Sequence, residues 1–91
     1  MLSLVTKVRF RVATAHDRAH GLFGWAEFEF GGVRIDGAQI RRTRSGAVRM
    51  YWPERVTGDR RFPIVQPIDR ATRIAIELEV LDAVRSQGVA P

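Results

Sequence analysis

Between residues 22 and 30 the chain alternates with a period of two. Leu22, Gly24, Ala26, Phe28 and Phe30 share one face, and Phe23, Trp25, Glu27 and Glu29 share the other. A helix, with about 3.6 residues per turn, would scatter both sets around its axis, so the segment reads as a strand with one apolar face. Gly31-Gly32 follows at once. Glycine enters the φ > 0 wells of a two-residue primed turn without a Cβ penalty, which makes the pair a strong hairpin signal. A return strand then runs from Val33 to about Arg42, with Gly37-Ala38 suggesting a bulge or bend inside it. An antiparallel hairpin near the middle of the chain is the element around which everything else must be arranged.

Upstream, Val8, Phe10 and Val12 alternate with Lys7, Arg9 and Arg11, predicting a half-buried strand over about 4–13. Residues 14–21 are polar, break the pattern and read as a loop. Downstream, Arg44-Ser45-Gly46 supplies a turn, and residues 47–52 read as a further strand that places Val48, Met50 and Trp52 opposite Arg49 and Tyr51. Pro53 ends it, because proline cannot donate to the ladder. Residues 54–61 read as a charged loop or a wide hairpin connection around Gly58-Asp59. Phe62, Ile64 and Gln66 alternate with Pro63, Val65 and Pro67, and the prolines demote this run to a short edge strand.

The last segment fits two templates. Ile74, Ile76, Leu78 and Val80 alternate as in a strand, whereas Ala71, Ile74, Ala75, Leu78, Leu81 and Arg85 recur at helical spacing. Sixteen residues from Arg70 to Arg85 without Gly or Pro, with Asp69 in place as N-cap, favour a helix, and Ser86-Gln87-Gly88 supplies a stop. The expected fold is α+β: an antiparallel four- to five-stranded sheet followed by a C-terminal helix packed across its apolar face. Residues 1–88 form a single domain, as the chain length of 91 requires, and 89–91 form a frayed tail. A chain this short has a modest core, so pairing with a second copy is a natural supplement.

Charge sets the expectation for function. Residues 41–61 hold seven arginines against Glu54 and Asp59, a balance of +5 that equals the formal net charge of the whole chain. Fourteen of the fifteen basic residues are arginine, which compositional bias could produce, but bias does not explain the clustering. Arginine forks beside Tyr51 and Trp52 suit phosphate contact and base stacking. Candidate nucleic-acid-binding residues are therefore Arg41, Arg42, Arg44, Arg49, Arg55, Arg60, Arg61 and Tyr51. Arg41 and Arg42 face opposite ways on a strand, as do Tyr51 and Trp52. Trp52 shares its face with Val48 and Met50 and reads as core. The bland alternative for the arginines is a solvated, solubilising face.

Other constellations are weaker. Lys7, Arg9 and Arg11 could extend a basic surface or pair across the sheet with Glu27 and Glu29, and the second reading is preferred. Phe23 and Trp25 suggest a second buried face or a subunit contact. His16 and His20 with Asp17 are too few for a metal site. No cofactor, small-molecule substrate or active site is expected, since a catalytic reading would need a pocket uniting His16 or His20 with acids. Cysteine is absent, which excludes disulfide and thiolate chemistry. No run approaches the ~20 apolar residues of a membrane span, and the N-terminal residues are too few before Lys7 for a signal peptide, so a cytoplasmic protein without membrane contact is expected.

The order of elements, together with Val5-Thr6-Lys7-Val8-Arg9, the hydrophobic hairpin over 22–35, Gly46-Ala47-Val48-Arg49-Met50-Tyr51-Trp52-Pro53 and Phe62-Pro63-Ile64-Val65-Gln66-Pro67-Ile68, resembles the SpoVG family of small bacterial septation and stage V sporulation proteins. The resemblance covers roughly residues 5–85. It implies a homodimer with an antiparallel sheet and a C-terminal helical part, acting as a DNA- and RNA-binding regulator without enzymatic activity. Where the family usually has methionine-proline followed by serine and a basic residue, this chain has Trp52-Pro53-Glu54-Arg55. The basic residues that the family brings near its helix would correspond here to Arg70, Arg73 and Arg85, set among Glu77, Glu79 and Asp82. The alternative expectation is a structural or protein-interaction module whose basic patch meets an acidic partner protein.

Overall fold

In the computed structural model, which describes residues 3–88, the elements run β1 (Thr6–Val12), α1 (Ala15–Ala19), β2 (Leu22–Phe30), β3 (Val33–Arg42), β4 (Val48–Tyr51), β5 (Glu54–Thr57), β6 (Arg60–Pro63) and α2 (Arg70–Ser86). The fold is α+β. β1 to β4 form one antiparallel sheet in sequence order, β5 and β6 a separate two-stranded sheet, and α2 follows. The tail expected to fray, 89–91, lies outside the described residues.

The central hairpin forms as its alternation requires. Ala26 and Phe28 are buried on one face of β2, whereas Leu22, expected on that face, pairs with Arg41 beyond a bulge and lies outside the core cluster. The turn residues Gly31 and Gly32 both have positive φ, 58° and 79°. The bend expected at Gly37-Ala38 is a bulge: Ala26 pairs with Ala38 but Phe28 with Ile35, so β3 carries one extra residue there. Gly24 serves close approach rather than turning. A Cβ at this position would fall 2.6 Å from Phe10 Cζ and closer still to the Arg11 carbonyl oxygen, so β1 lies down on β2 only because this residue has no side chain.

α2 covers the sheet face that carries Phe28, Ile35, Ile40, Met50 and Trp52, and contributes Ile76, Val80, Leu81 and Val84 to the same core. Phe28, Ile40, Ile76, Val80 and Val84 are almost wholly buried, each worth about 1.5–3 kcal/mol relative to exposure. Trp52 is buried as expected and meets Phe28 edge-on, ring centroids 5.8 Å apart at 76°. Its indole Nε1 donates to Glu77 Oε2 at 2.6 Å, which supplies the partner that a buried indole requires. Glu79 accepts from the backbone N–H groups of Leu4 and Val5, and Gln87 Nε2 donates to the Val8 carbonyl oxygen at 2.9 Å. The helix and its C-cap are thus tied by polar bonds, as well as packing, to β1, to the segment before it and to Trp52 just after β4. Asp69 caps it, accepting from Thr72 N at 2.8 Å and Thr72 Oγ1 at 2.7 Å. These bonds to the Thr72 side chain and backbone hold the Asp69 carboxyl below its ordinary value.

Four expectations are corrected. The loop over 14–21 contains the short helix α1, because Thr14 Oγ1 accepts from Asp17 N and caps one turn. Val12 is 58% exposed, since the core does not reach the end of β1. The run 62–67 is not an edge strand of the main sheet: β6 pairs only with β5 in a hairpin turning at Gly58-Asp59, and the bond from Ile64 N to the Pro53 carbonyl oxygen closes its base. The buried face of α2 is also rotated from the stripe read in the sequence. Ile74 and Leu78 are exposed, whereas Ile76 and Val80 are buried. Positions two apart lie about 200° apart on a helix, so an alternating run offers two apolar stripes, and packing selects one.

Candidate nucleic-acid interface

The face of the main sheet opposite α2 is built by register. Arg11 pairs with Trp25, Trp25 with Gln39 and Gln39 with Tyr51, a row that crosses all four strands. Arg41 pairs with Arg49 in the next row along β3 and β4. The Arg11 guanidinium carbon lies 5.3 Å from the centroid of the Trp25 ring, in cation–π range, and Arg41 Nη1 donates to Gln39 Oε1 at 3.1 Å. Trp25, Gln39, Arg41 and Tyr51 are half-buried by their neighbours, while Arg11 and Arg49 are exposed. At the other end of the same face the charges pair: Lys7 Nζ lies 3.7 Å from Glu29, and Arg34 Nε 3.4 Å from Glu27, with Arg9 opposite Glu27 in the register. The face therefore divides into a charge-paired end and an aromatic, basic end.

The remaining arginines are distributed around this surface. Arg44 stands in the β3–β4 turn, and Arg42 follows Arg41 on the opposite side of β3, so the division expected for that pair holds. Arg49, Arg70 and Arg73 line one groove of about 420 Å³ between β4 and the first half of α2, over Met50 and Leu81. On the β5–β6 hairpin, Arg55 and Phe62 are paired, and Arg60 lies over the Phe62 ring, 5.0 Å from its centroid. Arg61 points to the other hairpin face, where it meets Glu54 at 3.4 Å. The predicted residues thus form three neighbouring groups, on the sheet, along the helix groove and on the hairpin, rather than one patch.

Comparison with protein-family models, with curated proteins and with solved structures returns no match for this chain.

The electrostatics of the segment are distinctive. Among the described residues, Arg61 alone of the seven arginines between 41 and 61 is ion-paired, whereas Lys7, Arg34 and Arg73 elsewhere each meet a glutamate. Two of the three acids of α2 are engaged by the fold, Glu77 by Trp52 and Arg73, and Glu79 by the chain at Leu4 and Val5, while Asp82 is exposed. The rings of His16 on α1 and His20 at its C-cap meet at a tilt of 46°, centroids 4.5 Å apart, with His20 Nδ1 2.9 Å from the His16 carbonyl oxygen.

Two members of the sheet-face row, Trp25 and Gln39, were not read as binding residues, and Arg11 was read only within a stripe. Each strand shows its own alternation, but which residue stands opposite which depends on the bulges. Phe23 is the residue where β2 gains one position on β3, and it packs against the core instead of joining Trp25 on the face.

Proposed function

We propose that this chain is a SpoVG-like, non-enzymatic regulator that binds DNA or RNA phosphates through an arginine-rich surface, acting as a homodimer in the cytoplasm. The observation that carries the reading is the unpaired positive charge of residues 41–61, presented on β3, β4 and the β5–β6 hairpin beside Tyr51. Arginines that the fold leaves without carboxylate partners favour an anionic polymer, because each guanidinium can take a phosphate bidentately and release a condensed counterion. Phosphate contacts of this kind supply affinity and register but little sequence information. Support for the homodimer comes from the apolar side chains left exposed between Val56 and Leu78, notably Val56, Ile64, Ile68 and Leu78.

Binding to pools of short random DNA and RNA at several salt concentrations tests the proposal. Affinity should fall as a power of salt concentration, and Arg60→Ala/Arg61→Ala should weaken binding across sequences while reducing the slope by about 1–2. Nucleic-acid oligomers should also displace any acidic protein that binds the same arginines. Failure of the wild type to bind any pool would overturn the reading and leave the acidic-partner module in its place.

A further inference from the structure

We infer that the aromatic, basic end of the open sheet face is a stacking platform for single-stranded nucleic acid, with Trp25 and Tyr51 each receiving one unpaired base. The inference rests on the nucleic-acid reading above and goes beyond it by naming the strand state and the residues that hold the bases. Trp25 and Tyr51 lie in one register row, separated by Gln39 on the intervening strand. Two strand spacings put the backbone positions that carry the two rings roughly 10 Å apart, against the ~3.4 Å between stacked bases of one strand. Bases seated on both rings must therefore be unstacked from one another, a condition that a duplex resists and a single strand meets readily.

The surroundings match that occupant in charge. Arg11 lies over the Trp25 ring, and Arg41 and Arg49 form the next row. These are three positive groups beside two rings, with Glu29 and Glu27 held at the other end of the face by Lys7 and Arg34. The Arg11 guanidinium is itself a flat surface on which a base can stack, so its contact with Trp25 extends the platform. Gln39 accepts a hydrogen bond from Arg41 through Oε1, which directs its amide N–H donors elsewhere, free to meet a base edge. Base faces and phosphates, common to DNA and RNA, are what this surface can hold.

The chain contains its own reporters. Its two tryptophans lie on opposite faces of the sheet, Trp25 on the open face and Trp52 in the core. Oligouridylate and oligothymidylate should quench the emission of Trp25, and a Trp25→Phe variant should lose the quenching while retaining affinity. Trp25→Leu and Tyr51→Leu should each raise the Kd for both oligomers by roughly fivefold to a hundredfold, whereas Tyr51→Phe should bind within a few-fold of wild type. Trp52 emission and thermal melting monitor folding in every variant. Unchanged affinity of both leucine variants, or wild-type binding to a duplex of equal length but to neither single strand, would overturn the platform and leave the broader proposal standing. No binding of the wild type to any nucleic acid would overturn both.

Discussion

At the scale of single residues, the clearest pH dependence belongs to Asp69. Its carboxylate accepts two hydrogen bonds from Thr72, one from the side chain and one from the backbone, and its folded pKa is depressed below the ordinary aspartate value. A depressed folded value means that the cap's contribution is complete above the unfolded pKa and is lost as pH falls through the lower folded value. Asp69→Ala should accordingly melt at a lower temperature than wild type at neutral pH. The gap between the two should close once the pH is below the depressed value, which thermal melts at both pH values would measure. Asp69 was readable as a cap because its logic is local: an acid, then a long run without Gly or Pro. Glu77 and Glu79 were not readable in the same way. In the sequence they are charges on a helix. Their partners, the Trp52 indole and the backbone N–H groups of Leu4 and Val5, are 25 and about 75 positions away, and no local pattern encodes such pairings.

At the scale of elements, α2 shows where periodicity is sufficient and where it is not. Length and capping identified the helix, but its alternating apolar residues allow two phases. Ile76, Val80 and Val84 are selected because they meet Phe28, Ile40 and Trp52, which are brought together only by pairing of strands distant in sequence. Val80→Ala should destabilise the protein by about 2–3 kcal/mol through lost burial and the cavity left behind. Leu78→Ala, on the exposed stripe, should change stability by less than about 0.5 kcal/mol in dilute solution. Denaturant titration of the two variants decides the phase. The main hairpin was legible for the opposite reason, since Gly31-Gly32 and the flanking alternation lie within one short stretch. The row Arg11–Trp25–Gln39–Tyr51 depends on two bulges and three pairings, and so emerges only with the fold.

At the scale of the whole molecule, the radius of gyration is 13.0 Å, somewhat above the ~12 Å typical of a domain of this length. The excess agrees with a hairpin that packs on itself rather than on the sheet or the helix. Val56 and Ile64 on or beside the hairpin, Ile68 in the following segment, and Ile74 and Leu78 on α2 are all large apolar residues exposed to solvent. A second copy covering them would enlarge the modest core of a short chain and bring two basic surfaces together. The double variant Ile64→Asp/Ile68→Asp should shift sedimentation from dimer to monomer while leaving the circular dichroism of the sheet and helix intact. A wild-type protein that sediments as a monomer at all concentrations would refute the homodimer.

An isolated two-stranded hairpin is marginally stable in water, and β5–β6 has little beyond its own pairing and the Ile64–Pro53 bond to hold it. Its amides can therefore open without the main sheet opening, on a faster clock and at a lower free energy than global unfolding. Arg55, Arg60 and Arg61 ride on that limb, so three of the seven clustered charges change position on a timescale of their own, and ordering the limb would form part of the free energy of any association it takes part in.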